Sequence, residues 1–151
     1  MTQGLLRTRL VTQVAIVTDD VESTAARWAE LLGVEMPEAR WTDARDSAHT
    51  EYRGQPTEGR ARLAFFDLGP QVRLELIEPD EHPSTWREFL DANGPGLHHV
   101  AFQVRDMDQI LARLEAHDMP LVQKGDYTGG RYAYVDAEGS LGCILELLEN
   151  F

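Results

Sequence analysis

The chain has 151 residues, of which 42% are hydrophobic and 26% charged, and its formal net charge is −12. This length fits one compact domain that buries about two-thirds of the surface of its unfolded chain. The composition excludes a disordered or fibrous protein. The negative charge argues against nucleic acid and against an anionic membrane as partners, because both attract basic protein surfaces.

Neither a membrane segment nor a signal peptide is predicted, because residues 1–10 lack an apolar core and no run of 18 apolar residues exists. The sequence therefore predicts a cytoplasmic protein. The single cysteine, Cys143, excludes an internal disulfide and a cysteine-rich zinc site. Six arginines fall between residues 40 and 73. They indicate either a site for an anionic small molecule or a solvated face balanced by nearby acids.

The first predicted elements are a strand that contains QVAIV, from Gln13, and an amphipathic helix that Asp20 can cap. Apolar residues recur on one face of this helix, at Val21, Ala25, Trp28 and Leu32. The segment AHTEYRG, residues 48–54, is predicted as a weak second strand. A hairpin of ARLAFFDLG and LELIEP then completes the first half.

A linker helix is predicted over EHPSTWREFLDANGPG, with Ser84 as its N-cap and Gly94 as its stop. The pattern of the first half then returns at an offset of 86 residues, with HVAFQVRDMDQ in place of QVAIVTDDVES and Asp106 in place of Asp20. LELLEN likewise repeats LELIEP. The prediction is an α+β fold in one domain, 1–151, with two βαβββ modules at about 10–80 and 96–149 and a linker helix at about 83–94.

Strand periodicity separates the two adjacent histidines of GLHHVAFQV, residues 96–104. Alternate side chains of a strand face opposite ways, so His98 shares a face with the apolar residues that suit packing against the next helix. His99 is left on the opposite face, which is predicted to form a cavity.

The repeat places three further polar residues at positions related to His99. Gln13 takes the place of His99 in the first half, while Glu75 and Glu146 interrupt strands of leucine and isoleucine. A buried carboxylate is costly unless it is paired or ligates a metal, so these four residues are predicted to share a polar site. Taken singly, each could instead be a satisfied polar histidine or a solvent-facing glutamate.

At these residues, and across nearly all of residues 10–149, the chain resembles the vicinal oxygen chelate superfamily. The resemblance implies a cupped mixed sheet that holds one divalent ion through Gln13, Glu75, His99 and Glu146. The middle of the chain is most similar to methylmalonyl-CoA epimerases, in which a catalytic Glu occupies the position of Glu51. Those epimerases have His in place of Gln13, whereas some glyoxalase I enzymes have a Gln, Glu, His, Glu set.

The resemblance implies a metal-dependent isomerase or epimerase that uses Co, Mn, Ni, Zn or Mg. Glu146 and Glu51 would exchange a proton at opposite sides of a carbon next to a chelated carbonyl. An anionic substrate, an acyl-CoA or a glutathione thioester or hemithioacetal, and a homodimer are also implied.

Two alternatives remain from the sequence. One is a lyase like lactoylglutathione lyase, and the other is a metal-free binding or resistance protein whose cavity could be lined by Trp41, Tyr52 and Phe66, although core packing is the favoured use of Phe66. A ring-cleaving dioxygenase is disfavoured, because its iron needs two histidines and only His99 is available.

Overall fold

The computed structural model describes residues 3–151, so the first two residues of the predicted domain lie outside it. Its strands are β1 (Val11–Val17), β2 (Arg40–Trp41), β3 (Glu51–Tyr52), β4 (Gln55–Pro56), β5 (Ala61–Leu68), β6 (Val72–Pro79), β7 (Gly96–Gln103), β8 (Leu121–Tyr127), β9 (Gly130–Ala137) and β10 (Cys143–Asn150). Its helices are α1 (Val21–Leu32), α2 (Arg45–Ala48), α3 (Thr85–Asn93), α4 (Met107–Ala116) and α5 (Glu138–Leu141). Within this described part, no helix is long and apolar enough to cross a membrane.

All ten strands form one mixed sheet in the order β2-β5-β6-β1-β7-β10-β9-β8-β3-β4. Each half of the chain contributes a block of four strands, and the two blocks meet where β1 pairs antiparallel with β7. Within the blocks, β1 pairs parallel with β6, and β7 pairs parallel with β10. The sheet is curled, and the predicted α+β fold of two βαβββ modules is confirmed.

The second strand of the first module differs from the prediction. The predicted segment contains β3, but β3 pairs with β8 of the other module, where Glu51 lies opposite Lys124. The edge position beside β5 is taken by β2. Arg53 and Gly54 both have positive φ and form the tight turn that folds β3 onto β4. The first module therefore adds a small hairpin to the edge of the second.

Helices α1 and α4 begin at equivalent points but are capped differently. The Asp20 side chain accepts a backbone N–H of the first turn at 3.0 Å, as predicted. Asp106 has a left-handed backbone with φ of 58° and makes no capping hydrogen bond, so its predicted cap is wrong. Glu149 instead accepts the N–H of Met107 at 3.0 Å, and Glu78 accepts the first N–H of α1 at the same distance.

Three apolar clusters hold the helices on the sheet. Helix α1 packs on β5 and β6 through residues that include Val21, Ala25 and Phe66. Helix α4 packs on β9 and β10 through Met107 and Leu114 among others, and the apolar face of β7 joins this cluster as predicted. The linker helix α3 begins after Ser84 and ends at Gly94, as predicted, and its Trp86 and Leu90 form the third cluster.

Candidate metal centre and cavity

Three of the four predicted ligands form a buried cluster. His99 Nε2 lies 2.9 Å from Glu146 Oε2 and 3.7 Å from Glu75 Oε1. One ligand atom from each residue lies within 4.8 Å of the others, and each residue is at most 5% exposed. The residues come from β6, β7 and β10, so both modules contribute to the cluster.

The curl of the sheet brings these residues together. Glu75 and Glu146 lie on strands that are separated by β1 and β7. In a flat sheet, strands three positions apart would be about 14 Å apart. Their carboxylate oxygens nevertheless lie within 4.8 Å, so the curvature converts distant strand positions into one site.

Gln13 lies on β1, between the strands of the two carboxylates, and lines the same cavity. Within residues 3–151, its Oε1 is buried without a hydrogen-bond partner, and so are His99 Nε2 and Glu146 Oε2. Buried polar atoms without partners are costly. An amide oxygen, an imidazole nitrogen and carboxylate oxygens are suitable ligands for a divalent cation, so the residues fit the ion that the resemblance implies.

Comparison with protein families agrees with this geometry. The sequence profile of the glyoxalase/bleomycin resistance protein/dioxygenase superfamily matches residues 12–135. The chain belongs to this superfamily.

Named relatives within the superfamily include epimerases. A 2-epi-5-epi-valiolone epimerase of Actinomyces sp. is 29% identical over 135 residues, which are 82% of this chain and 71% of that protein. An ethylmalonyl-CoA/methylmalonyl-CoA epimerase of Cereibacter sphaeroides is 25% identical over 139 residues, which are 89% of this chain and 92% of that protein. The crystal structure of methylmalonyl-CoA epimerase from Mycobacterium tuberculosis has a TM-score of 0.68 at 23% identity, over 100% of this chain and 93% of that chain. This last likeness shows a shared fold.

Two β-bulges lie next to the predicted ligands of this superfamily member. The register between β1 and β7 shifts at Thr12 and again at His98. A bulge adds one residue to a strand and changes the direction of its side chains. Thr12 therefore lines the cavity together with Gln13, and His98 lies beside His99. Strict alternation, which directed His98 away from His99, does not allow for the extra residue.

His98 contacts His99 and the linker helix instead of joining the cluster. Its Nδ1 lies 2.8 Å from His99 Nδ1, and its Nε2 lies 3.2 Å from Thr85 Oγ1. The ring of Phe89 packs edge-on against it, with 5.3 Å between ring centroids. Burial lowers the pKa of His98 well below its usual value, and His99 acts in the same direction. His98 is therefore a neutral imidazole at neutral pH.

The hydrogen bonds distinguish the two tautomers of His99. A proton on Nε2 would have no acceptor, because the 2.9 Å approach to Glu146 lacks the angle of a hydrogen bond. A proton on Nδ1 is donated to His98, whose own Nε2–H is then donated to Thr85 Oγ1. This second arrangement satisfies both N–H groups. It leaves the lone pair of His99 Nε2 directed at the carboxylates, as a metal ligand requires.

The two carboxylates of the cluster disfavour being charged together. Burial raises the pKa of Glu75 well above its usual value, the charge of Glu146 raises it further, and Arg73 opposes the rise. Carboxylates that share a dry site repel unless one is protonated or a cation lies between them. A bound cation would therefore stabilise the charged form of both carboxylates.

The structure does not bring Glu51 to the other predicted site residues. Thr50, immediately before β3, lines the cavity, whereas the neighbouring Glu51 side chain takes the other face and pairs with Lys124 at 3.2 Å. Glu51 lines a separate, smaller depression beside β8. Glu51 therefore does not lie across the cavity from Glu146 in this structure, and its catalytic role stays a prediction. Neighbouring side chains of an extended segment point to opposite faces, so Thr50 faces the cavity and Glu51 faces away from it. The family resemblance does not show this orientation.

A cavity of about 590 Å³ opens over the cluster, and much of its wall is aromatic. Burial raises the pKa of Tyr127 and of Tyr132 to about 12, so both phenols are neutral at neutral pH. The aromatic residues that line the cavity are Trp41, Phe65, Trp86, Tyr127, Tyr132 and Tyr134.

The sequence interpretation found only part of this wall. Trp41 lines the cavity as expected for a binding protein, but Phe66 packs under α1 and Tyr52 contacts Glu88 on α3. Tyr132 and Tyr134 were missed. The signal for them was the alternation in GRYAYVDAEG, which places both rings on one face of β9.

Most of the six arginines between residues 40 and 73 form ion pairs with acidic side chains. Arg53 lies 2.8 Å from Glu88, and Arg45 lies 3.1 Å from Glu58. The solvated face balanced by acids is therefore confirmed for these residues. The other arginines that pair with acids are Arg40 with Glu38, and Arg62 with Glu22 and Glu78.

Proposed function

We propose that this protein is a metal-dependent isomerase or epimerase that removes a proton from a carbon next to the carbonyl of a small-molecule substrate. The observation that carries the proposal is the cluster of Gln13, Glu75, His99 and Glu146 at the cavity, with three buried polar atoms that lack partners. Epimerases among the relatives support this reaction type.

The mixed nitrogen and oxygen donors would hold one divalent ion, such as Co, Mn, Ni, Zn or Mg. When bound, such an ion supplies Lewis-acid stabilisation of the charge that develops on a carbonyl oxygen. The Thr85, His98 and His99 hydrogen bonds orient the imidazole with its Nε2 lone pair toward the site.

Glu146 is the proposed base. It lies at the floor of the cavity, 4% exposed, and Oε2 makes no hydrogen bond in the described chain. Its carboxylate takes the proton from one face of the substrate carbon. Delivery of a solvent proton to the opposite face of the same carbon inverts the centre, and return by Glu146 to the former carbonyl carbon isomerises the substrate. Glu51 lies outside the cavity.

A lyase that resembles lactoylglutathione lyase is the second candidate, because the Gln, Glu, His, Glu set favours it. The same proton abstraction would then be followed by return to the adjacent carbon. A metal-free binding protein is disfavoured, since a pure binder has no reason to bury Glu75 and Glu146 together. The cytoplasmic location and the homodimer stay predictions.

Solvent exchange tests the proposed reaction. We expect protein loaded with Co or Mn to catalyse deuterium exchange next to the carbonyl of at least one compound in a panel of carbonyl compounds. The panel includes methylmalonyl-CoA, the glutathione–methylglyoxal hemithioacetal and uncharged ketones. Metal-stripped protein and Glu146→Gln should not catalyse it. Stoichiometric metal without exchange in any compound would contradict the proposal.

A further inference from the structure

We infer that the substrate is an uncharged, polyhydroxylated ketone of the size of a sugar, and not a coenzyme A or glutathione derivative. The inference rests on the proposed function, since it names the substrate class of the same site. It departs from the anionic substrate that the family resemblance implies.

The charge of the cavity lining is the first argument. Asp43, Asp67 and Asp126 line the cavity in addition to the carboxylates of the cluster. Of the residues that the structure describes, Arg73 is the one Arg or Lys in this lining, and it lies opposite Asp67 in the β5–β6 ladder. A net negative charge remains even with a divalent ion bound. Such a lining repels phosphates and free carboxylates.

The basic groups near the cavity are already engaged. The Arg73 guanidinium lies over the ring of Phe65, 4.2 Å from its centroid. Arg60 donates from Nε and Nη2 to the carbonyl oxygen of Thr42 at 2.9 and 2.6 Å, and its guanidinium lies 5.5 Å from the ring centroid of Trp41. These contacts hold both guanidinium groups against aromatic rings.

The size of the cavity is the second argument. A volume of about 590 Å³ falls in the range of pockets that enclose a small organic ligand. A coenzyme A group would have to extend beyond it, past the exposed carboxylates of Asp43, Asp67 and Asp126. The cavity instead has room for a six-carbon ketone.

The hydrogen-bonding groups of the lining suit hydroxyl groups. Carboxylates only accept, whereas a substrate hydroxyl both donates and accepts. Within residues 3–151, the Oγ1 atom of Thr12 is buried without a hydrogen-bond partner, and Thr12 is one of the residues that line the cavity. Tyr134 accepts the Trp86 indole N–H at 3.1 Å, so its own O–H remains to donate. The aromatic faces can pack against the C–H groups of a carbon ring.

The reaction needs no further reagent. The C–H bond next to the ketone breaks, its electron pair forms the enolate, and the proton moves to Glu146. A proton then returns to the same carbon, or it is added to the former carbonyl carbon while the hydroxyl proton of the first carbon moves to the former carbonyl oxygen, which gives an isomeric polyhydroxylated carbonyl compound. Nothing is oxidised or reduced overall.

The test compares uncharged polyhydroxy ketones (inososes and ketohexoses) with methylmalonyl-CoA and the glutathione hemithioacetal. Calorimetry measures binding to the metal-loaded protein, and NMR in deuterated water measures exchange. We expect kcat/KM for exchange to be at least tenfold higher for the best uncharged ketone than for either anion. Asp67→Asn and Asp126→Asn should each weaken binding of that ketone about tenfold. Glu30→Gln, on the exposed face of α1, is the matched control.

The outcomes separate the two proposals. Faster exchange of methylmalonyl-CoA or the hemithioacetal would overturn the substrate class and leave the proposed reaction standing. Binding of an uncharged ketone without exchange of any compound would support the substrate class and overturn the proposed reaction. If no uncharged ketone binds and none undergoes exchange, this inference is overturned.

Discussion

At the scale of single residues, the adjacent histidines of β7 differ in role because one of them is the extra residue of a bulge. His99 directs Nε2 at the carboxylates and donates its Nδ1–H to His98 Nδ1. His98 in turn donates its Nε2–H to Thr85 Oγ1. Hydrogen-bonding partners of a metal-ligating histidine fix its tautomer and orientation. The hydroxyl of Thr85 is therefore linked to the candidate metal site through two imidazole rings.

Thr85→Val removes the acceptor for the His98 proton and keeps the shape of the side chain. We expect the affinity for Co²⁺ to fall about tenfold, in the range usual for such supporting residues. NMR of the ring nitrogens should show His99 losing its uniform Nδ1–H form, a change that general loosening of the fold does not predict. Thr85→Ser, which keeps the hydroxyl, is the control. Wild-type affinity in Thr85→Val would contradict the role of this hydrogen bond.

Substitution of Glu51 and of Glu146 should affect the exchange activity differently. We expect Glu51→Gln to retain most of the exchange activity, because Glu51 lies outside the cavity and pairs with Lys124. Glu146→Gln should lose activity by about 10²–10⁴-fold, the usual contribution of a general base. The rates are measured on the substrate found by the exchange panel. Equal losses in the two variants would restore Glu51 to the mechanism.

At the scale of elements, the last strand of each module holds the start of the module's own helix. Glu149 at the end of β10 accepts the N–H of Met107 and also pairs with Arg131 at 2.8 Å, and Glu78 serves α1 in the same way. These bonds satisfy N–H groups that a helix start leaves without partners. They also fix the helices relative to strands that carry Glu75 and Glu146.

Glu149→Ala should lower the free energy of unfolding by about 1–2 kcal/mol, the usual cost of a lost helix cap. Hydrogen bonding from Met107 lowers the pKa of Glu149, and Arg131 adds to the effect. Its contribution is therefore present above the unfolded pKa, about 4.3, and lost as the pH falls through the folded value. Chemical denaturation measures both effects. Glu115→Ala, on the exposed surface of α4, is the control, and equal losses in the two variants would contradict the capping role.

The elements whose pattern repeats could be predicted from the sequence. The features that depend on which strands pair, and in which register, could not. The offset of 86 residues related Gln13 to His99, and the LEL pattern found both carboxylates. Neither the partner of β3 nor the bulge at His98 is encoded in a period of two. The pairing of β3 with β8 joins segments that are more than 70 residues apart in the chain, and the bulge depends on the register between β1 and β7.

At the scale of the whole molecule, the curl of the sheet concentrates buried acid in one place and makes the metal-free fold depend on pH. The folded pKa of Glu75 lies above its unfolded value of about 4.3. Its protonated form therefore contributes stability that is present below that pH and lost as the pH rises through the folded pKa.

We expect metal-free wild type to lose stability relative to Glu75→Gln as the pH rises from about 4 toward neutral. Added divalent metal should restore the stability of wild type at neutral pH and leave Glu75→Gln much less affected. Chemical denaturation across this pH range, with and without metal, measures both effects. A stability difference that does not change with pH would show that Glu75 is not held in an unfavourable charged state.

The central claim is that the curled sheet holds one divalent ion through His99. Calorimetric titration with Co²⁺ at neutral pH, followed by elemental analysis after desalting, measures it most directly. We expect one ion per chain in wild type, loss of binding in His99→Ala, and retention in His98→Asn, which keeps an acceptor beside His99. Absence of binding in wild type, or loss in His98→Asn with retention in His99→Ala, would contradict it.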